Sequence, residues 1–207
     1  NAYTITVADN QVTSAALNTV NAATTVNVTA TAVTQITGSV SELATTYGGG
    51  ITGLGDEAIV LTENVTVTEA NTIDAYTDGV VTATVSVTNV NDLDDLTSTN
   101  NAYTVTVATN EVTAAALNTI NAATTVNVTA TAVTQITGSV SELATTYGGG
   151  ITGLGNEAIV LTENITSTQA NTIDAYTVGV VTATISTTAI ADLDDLTGTG
   201  NAYTITV

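Results

Sequence analysis

Carboxylates are almost the only side chains in this sequence that could do chemistry. Their densest group is an aspartate triplet that occurs twice. Clustered carboxylates suit Ca²⁺, which prefers oxygen ligands. The spacing is not that of an EF-hand loop, and aspartates also favour the first turn of a helix, where the helix dipole stabilises them. We prefer this second interpretation, and we expect no catalytic residue and no cofactor other than Ca²⁺. The calcium candidates are Asp92, Asp94, Asp95, Asp192, Asp194 and Asp195.

The composition excludes several classes of function. The chain has 19 acidic residues, no Lys, Arg or His, and a formal net charge of −19. Nucleic-acid binding needs basic side chains to neutralise phosphates, and an anionic membrane surface would repel this chain. Without His, Lys or Cys the usual general bases and nucleophiles are missing, so we expect no enzyme; a paired-carboxylate hydrolase stays formally open. No apolar run approaches the length of a membrane span, so no membrane insertion is expected.

The lack of cations also limits where the carboxylates can lie. Each must be solvated, accept hydrogen bonds from backbone N–H groups, lie at a helix N-terminus or bind a metal ion. Salt screens the repulsion between like charges. A secreted or cell-surface location in a salty medium is therefore expected.

The sequence is a tandem repeat. Residues 1–100 align without a gap on residues 101–200 and differ at 17 positions, while residues 201–207 begin a third copy. This pattern is expected of a segment from a longer array. A weaker internal similarity, offset by roughly 53 residues, divides each copy into half-units. These half-units are about 1–55, 56–100, 101–155 and 156–200.

Some acidic positions differ between the copies. An essential ion site would not tolerate such losses, so these positions are predicted to lie on the surface. The replacements are Asp9 by Thr109, Asp56 by Asn156, Glu69 by Gln169 and Asp78 by Val178.

Each half-unit is predicted to contain a strand, a short helix, a second strand and a second short helix. Runs of Thr, Val and Ile favour the strands, and Gly48–Gly55 is predicted to be a flexible turn. The predicted strands are Tyr3–Val7, Val26–Ala30 with a continuation at Val33–Thr37, Ala58–Thr62 and Val80–Val87. The predicted helices are Thr13–Ala22, Val40–Tyr47, Thr68–Ala75 and Asp92–Leu96.

Capping boxes support the predicted helix starts. In this motif a hydroxyl and a carboxylate or amide, three residues apart, satisfy two free N–H groups. Alternating strands and helices with short connections predict parallel strands. The expected fold class is therefore an α/β repeat solenoid, with a mainly-β solenoid as the alternative. The boxes are Ser39–Glu42, Thr66–Glu69, Ser139–Glu142 and Thr166–Gln169, with Asn91–Asp94 as a looser version.

The segment Ile51–Asn64, its second copy Ile151–Asn164, and the stretches Val-Thr-Gln-Ile-Thr-Gly-Ser and Asn-Thr-Ile-Asp-Ala carry a family resemblance. They resemble the long Thr/Ala/Val-rich tandem repeats of very large bacterial surface proteins, notably those of cyanobacteria and other aquatic bacteria. The resemblance implies a secreted or cell-surface, adhesin-like or fibre-forming protein. It implies no functional residues.

Three functions are weighed, and the first is preferred. It is a structural extracellular fibre or filament whose repeats or subunits stack on one another, so that the partner is the protein itself. The second is a calcium-dependent adhesin stalk whose binding domain lies elsewhere. The third is an ice- or glycan-binding surface made of Thr pairs such as Thr4/Thr6, Thr29/Thr31 and Thr82/Thr84.

The segment NAYTITV is the predicted assembly strand. It occurs at residues 1–7 and 201–207, and as NAYTVTV at residues 101–107. We expect its last copy to pair with the preceding unit or to be covered by a neighbouring chain, because a solenoid without polar caps presents open strand edges. The assembly residues are Tyr3, Ile5, Val7, Tyr203, Ile205 and Val207.

Overall fold

The computed structural model describes residues 1–86, 90–93, 95–187 and 189–207. They form parallel β-sheets whose strands are connected through short helices, so the chain is α/β. The chain divides into two compact units. The first contains Asn1–Ser86, Leu96–Val105 and Ala123–Val126, and the second contains the other described residues.

The first repeat supplies strands and helices in alternation. In chain order they are β1 (Gln11–Thr13), α1 (Ser14–Ala22), β2 (Val28–Thr29), β3 (Gln35–Gly38), α2 (Val40–Tyr47), β4 (Ile51–Thr52), β5 (Ala58–Val65), α3 (Val67–Asp74), β6 (Val81–Val85) and α4 (Val90–Leu93).

The second repeat follows the same plan. Its elements are β7 (Ala102–Val105), β8 (Glu111–Thr113), α5 (Ala114–Ala122), β9 (Val128–Thr129), β10 (Gln135–Gly138), α6 (Val140–Gly148), β11 (Ile151–Thr152), β12 (Ala158–Ile165), α7 (Ser167–Asp174) and β13 (Val181–Ser186), then a 3₁₀ turn (Ile190–Leu193) and β14 (Ala202–Thr206).

Each unit contains one five-stranded parallel sheet. In the first unit the order is β1-β3-β5-β6-β7, and in the second it is β8-β10-β12-β13-β14. Neighbouring strands therefore follow one another along the chain. Ile36 pairs with Ile59 and Ile59 pairs with Val81, and all three side chains are fully buried. This apolar row forms the core of the first sheet, because β-branched side chains pack well on a pleated surface.

Carboxylates and hydroxyls cap the helices, as the sequence predicts. The Ser39 hydroxyl accepts the Glu42 N–H, and the Glu42 carboxylate accepts the Ser39 N–H at 2.9 Å. Glu63, from the adjacent strand β5, accepts the Val40 N–H at 2.8 Å. The capping boxes at Thr66, Ser139 and Thr166 are also formed, whereas Asp94 of the looser box lies outside the described residues. Acceptance of backbone N–H groups thus takes the place of salt bridges for these acids.

A buried carboxylate follows the glycine-rich segment. Glu57 is only 2% exposed, and its carboxylate accepts hydrogen bonds from the N–H groups of Gly55 and Asp56 and from the Tyr47 hydroxyl. The Tyr47 ring stacks on Tyr76 with 4.8 Å between centroids. Burial first, then the hydrogen bond to Glu57 and its negative charge, raise the pKa of Tyr47 above its ordinary value. The second repeat has the same arrangement.

Several predicted boundaries are wrong. Tyr3–Val7 is not a strand, since it contains only an isolated bridge between Thr6 and Thr29. Strand β1 was not predicted, because three residues before a helix cap carry almost no alternation. Gly48–Gly55 is not only a turn, because it contains β4, which pairs with β2.

The predicted helix Asp92–Leu96 also differs. The helix begins at Val90 and ends at Leu93, and its counterpart in the second repeat is a 3₁₀ turn. The position of the first aspartate explains the misplaced start, since acidic residues favour the first turn and not only its first position.

Candidate assembly site

The predicted assembly strand occurs as residues 1–7, 101–107 and 201–207, and we call each copy an assembly segment. These three copies have different surroundings. Among the described residues, residues 1–7 have hydrogen-bond partners along one edge only. The Thr24 hydroxyl accepts the Tyr3 N–H at 3.1 Å, and the Val7 N–H donates to the Thr29 carbonyl at 2.8 Å. The Tyr3 side chain is 55% exposed. The first copy is therefore an extended segment with one side open.

The second copy is bound along two edges. One edge repeats the bonds of the first copy, because the Thr124 hydroxyl accepts the Tyr103 N–H at 3.0 Å. The other edge is β7, which pairs in parallel with β6 and places Tyr103 opposite Ala83. The Tyr103 side chain is completely buried. Pairing with the preceding repeat thus turns the same sequence into a core strand.

Asn101 fixes the start of this strand. Its carbonyl oxygen Oδ1 accepts the Val81 N–H at 2.7 Å. Its amide nitrogen lies 2.6 Å from Oδ1 of Asp74, 3.0 Å from Oγ of Ser98 and 3.1 Å from the Tyr103 hydroxyl. Asn101 is 2% exposed, so this polar network is buried and almost fully satisfied. A side chain with both a donor and an acceptor is required here, because it faces a carboxylate and a backbone N–H together.

The network also affects the tyrosine. Burial raises the pKa of Tyr103, and the nearby negative charge of Asp74 raises it further, whereas the hydrogen bonds from Ser98 and Asn101 lower it. The net direction is upward, so the hydroxyl stays protonated and uncharged at neutral pH. A neutral Tyr is the form that a buried strand tolerates.

The third copy repeats the pairing. β14 pairs in parallel with β13 and places Tyr203 opposite Ala183, as Tyr103 is opposite Ala83. Asn201 accepts the Val181 N–H at 2.8 Å and donates to Asp174 at 2.6 Å. The predicted pairing of residues 201–207 with the preceding unit is confirmed. Two apolar side chains at this end of the chain are exposed, Ile205 of β14 at 48% and Val207 after it at 64%.

The two networks differ at one side chain, because Gly198 stands in the third copy where Ser98 stands in the second. The enclosed Tyr203 hydroxyl therefore lacks the serine partner that the Tyr103 hydroxyl has. The turn before the strand is equivalent in both, because Asn100 and Gly200 each have a left-handed backbone, with φ of 71° and 85°. Asn and Gly are the residues that adopt this conformation most readily.

The assembly residues predicted from the sequence lie on this segment. Tyr203 packs against a buried cluster that contains Ile165 and Ile185, whereas Tyr3 is exposed and Ile5 and Val7 are half-buried. The sequence prediction missed the asparagine that opens each copy and its aspartate partner. Their invariance between copies was a usable signal, but the 27-residue separation of Asp74 and Asn101 hides the contact.

The aspartate triplets are the calcium candidates predicted from the sequence. The first aspartate of each triplet, Asp92 or Asp192, is exposed in the first turn of its short helix. Asp94 lies outside the described residues. Among the residues that are described, no group of three or more acidic side chains is arranged to hold a metal ion. The remaining triplet members, all exposed, are Asp95, Asp194 and Asp195.

Threonines on the sheet form short, interrupted rows. In the first unit Thr13 pairs with Thr37, but the next position in that row is Val60. Thr84 pairs with Thr104 but has Asn64 on its other side. This pattern does not favour an extended Thr grid of the kind that ice or glycan binding would use.

No family model, no curated protein and no solved structure matches this chain. No helix among the described residues has the length and apolar character that crossing a membrane requires.

Proposed function

We propose that this protein is a structural, non-enzymatic part of an extracellular fibre or cell-surface filament built from tandem solenoid repeats. One observation carries the proposal. The segment that opens a repeat pairs with the last main-sheet strand of the repeat before it, and it does so twice in the same parallel register. We call this contact, between the opening segment of one repeat and the last main-sheet strand of the repeat before it, the joint. A joint that occurs twice in the same register is suited to repetition.

The connectivity supports a solenoid. Within each five-stranded sheet the strands lie side by side in the order in which they occur along the chain, and a short helix or 3₁₀ turn lies between each strand and the next. The helices pack in sequence as well, α1 against α2 and α2 against α3. A further repeat can be added to such an arrangement without rearranging the existing repeats, because each repeat of a solenoid contacts mainly its neighbours.

The chemistry supports a passive and extracellular role. A net charge of −19 without a single Lys, Arg or His leaves no group that could bind a polyanion. The carboxylates with assigned contacts accept hydrogen bonds from backbone N–H groups, from hydroxyls or from the Asn101 and Asn201 amides. The resemblance to large bacterial surface repeats points to the same setting.

The test is a series of proteins with two, four and eight copies of residues 101–200, measured by small-angle X-ray scattering and electron microscopy. A filament predicts that particle length increases by the same amount for each added repeat. A compact protein would instead show a radius of gyration that grows with about the 0.4 power of chain length. Discrete globular particles at eight repeats would overturn the proposal.

The same series tests the calcium-dependent stalk. Melting temperatures are measured with Ca²⁺ and with a chelator. We expect no shift, because the capping and joint contacts described above use only protein groups. A large loss of stability in the chelator would instead favour the stalk.

A further inference from the structure

We propose that the edge of β13 is a binding site for the peptide NAYTITV, and that residues 1–7 of a second copy of this chain can fill it in place of residues 201–207. The proposal deepens the proposed function, on which it rests, because it names the strand and the partner that would join two molecules end to end. The partner is a second copy, and the ligand is its opening segment.

The first and last copies of the segment are identical in sequence. Residues 1–7 and residues 201–207 are both NAYTITV. Every contact that the cis segment makes with β13 is therefore available to the trans segment. The β13 edge can distinguish the two only through the chain that tethers the cis copy.

The segment can form hydrogen bonds along both of its edges. Residues 1–7 use one edge, toward Thr24 and Thr29, and leave the other open. Residues 101–107 use both edges at once, with the same partners on the first edge and β6 on the second. Residues 1–7 can therefore remain bound to their own repeat while pairing with β13 of another molecule.

The β13 site recognises side chains of the bound segment as well as its backbone. The Asp174 carboxylate and the Val181 N–H together require an asparagine at the first position. The cluster that contains Ile165, Ala183 and Ile185 accepts the tyrosine at the third position. Backbone pairing provides affinity and these two contacts provide specificity, as in other complexes formed by strand addition.

The tether decides which copy is bound. A segment attached through a short loop has an effective concentration in the millimolar range. At micromolar protein concentration the cis segment therefore dominates in the unmodified chain. The substitution Asn201→Asp weakens only the cis segment, because it removes the amide donor and places a second carboxylate beside Asp174.

The experiment is a disulfide trap in the 207-residue chain, which contains no cysteine of its own. Thr204 pairs with Thr184, so residue 4 of a second copy is expected opposite residue 184. The variant Thr4→Cys/Thr184→Cys is incubated with oxidised glutathione, which takes up the two electrons and two protons of each new disulfide. We expect dimers and longer ladders on non-reducing gels, at least about tenfold more in the Asn201→Asp background.

Two controls make the trap specific. The pair Thr4→Cys/Thr182→Cys is two residues out of register, since Thr182 pairs with Ala202, and it is expected to give little ladder. Adding Asn1→Asp to the in-register variant is expected to abolish the ladder, because the trans segment then repels Asp174. Absence of a ladder in both backgrounds, or equal cross-linking at residues 182 and 184, would overturn the proposal.

A peptide measurement covers a variant that fails to fold. Fluorescent NAYTITV is added to the unmodified chain and to the Asn201→Asp chain, and its anisotropy is measured against DAYTITV. We expect the Asn201→Asp chain to bind NAYTITV, the unmodified chain to bind it more weakly because its own segment competes, and DAYTITV to bind at least about tenfold more weakly than NAYTITV. Equal binding of the two peptides, or none by a folded chain, contradicts strand exchange. Neither result affects the covalently joined arrays of the preceding section, so the two proposals fail separately.

Discussion

Tyr3 and Tyr103 occupy the same position in nearly the same heptapeptide, yet one is 55% exposed and the other is completely buried. Both segments make the same bonds to the rest of their own repeat, through the Thr24 or Thr124 hydroxyl. The difference is β6, which pairs with residues 102–105 and has no counterpart beside residues 1–7 among the described residues. The heptapeptide is thus not a strand by its own propensity; the preceding repeat makes it one.

Tyr203 shows the complementary case. It has the preceding strand, β13, but no repeat after it in this sequence, and it is half-buried. The three copies therefore form a graded series in which the segment contacts its own repeat, both its own repeat and the preceding repeat, or the preceding repeat. Burial is complete only where both are present.

The sharpest way to break this comparison is to truncate the tyrosine in each copy. Tyr103→Ala is expected to lower the free energy of unfolding by about 3–5 kcal/mol, because it leaves a cavity and removes a buried hydrogen-bond partner. Tyr3→Ala is expected to change it by less than about 0.5 kcal/mol, as at ordinary surface sites. Tyr203→Ala should lie between them. Urea unfolding followed by far-UV circular dichroism measures all three.

Equal losses for Tyr3→Ala and Tyr103→Ala would contradict the graded series. They would mean that the heptapeptide is held mainly by the rest of its own repeat. The phenylalanine variants of both positions separate cavity from hydrogen bond, since Tyr103→Phe keeps the ring and loses only the hydroxyl.

Some features of the fold could be predicted from the sequence. The repeat length, the parallel α/β organisation and the helix caps follow from local patterns, so Val40–Tyr47 was predicted with its observed limits and the capping boxes at Ser39 and Thr66 are formed. Each of these features depends on residues within a few positions of one another.

What failed depends on distant partners. Whether residues 1–7 or 101–107 form a strand depends on β6, and local propensity is nearly the same in both. The buried Asn101–Asp74 contact and the Tyr47–Glu57 contact join residues 27 and 10 positions apart. No periodicity reports such a pair, so the sequence could rank these side chains as polar but could not place them inside.

The second prediction exchanges the residue that distinguishes the two joints. Ser98→Gly removes the hydroxyl near Tyr103 and Asn101, and we expect a loss of about 1–2 kcal/mol. Gly198→Ser gives the enclosed Tyr203 hydroxyl a partner, and we expect a gain of about 1 kcal/mol. Chemical denaturation of each variant and of the double exchange measures both effects.

Gly198→Ser tests both the size of the stability change and its cause, which is the added hydroxyl. An added serine side chain at position 198 would approach the Asn201 amide and the Asp174 carboxylate closely. Ser98 occupies the equivalent space in the first joint, so these side chains have an arrangement that accepts it. A loss of stability in Gly198→Ser would show that the two joints differ in backbone and not only in one hydroxyl.

The third prediction concerns a difference at the start of the first helix in each repeat. The Ser14 hydroxyl is buried against Gly38 and has no hydrogen-bond partner in the described ranges, whereas the second repeat has Ala114 in this place. Removing an unsatisfied buried polar group should stabilise the protein, so Ser14→Ala is expected to add about 1 kcal/mol. The reverse change, Ala114→Ser, should cost a similar amount. Thermal unfolding of both variants checks the sign, and a destabilised Ser14→Ala would indicate that the hydroxyl has a partner.

The smallest expected effect separates the two repeats by pH. Hydrogen bonds from the Thr66 N–H, and then from its hydroxyl, hold the pKa of Glu69 below its usual value of 4.5. A carboxyl with a lowered folded-state pKa stabilises the fold above its unfolded-state pKa and loses that contribution as pH falls through the folded-state pKa. The third helix of the second repeat has Gln169, which accepts the Thr166 N–H at 2.9 Å and does not titrate.

Glu69→Gln should therefore reduce the loss of stability between neutral pH and about pH 3, and Gln169→Glu should increase it. Urea midpoints measured across this range give the two slopes. Asp78→Asn is the control, because it removes one negative charge from an exposed position without touching a cap, and so reports the relief of charge repulsion alone. If Glu69→Gln and Asp78→Asn give parallel profiles, net charge and not helix capping governs how the first repeat responds to acid. A flatter profile for Glu69→Gln assigns that response to the cap, which is a contact inside one repeat and independent of the strand that joins it to the next.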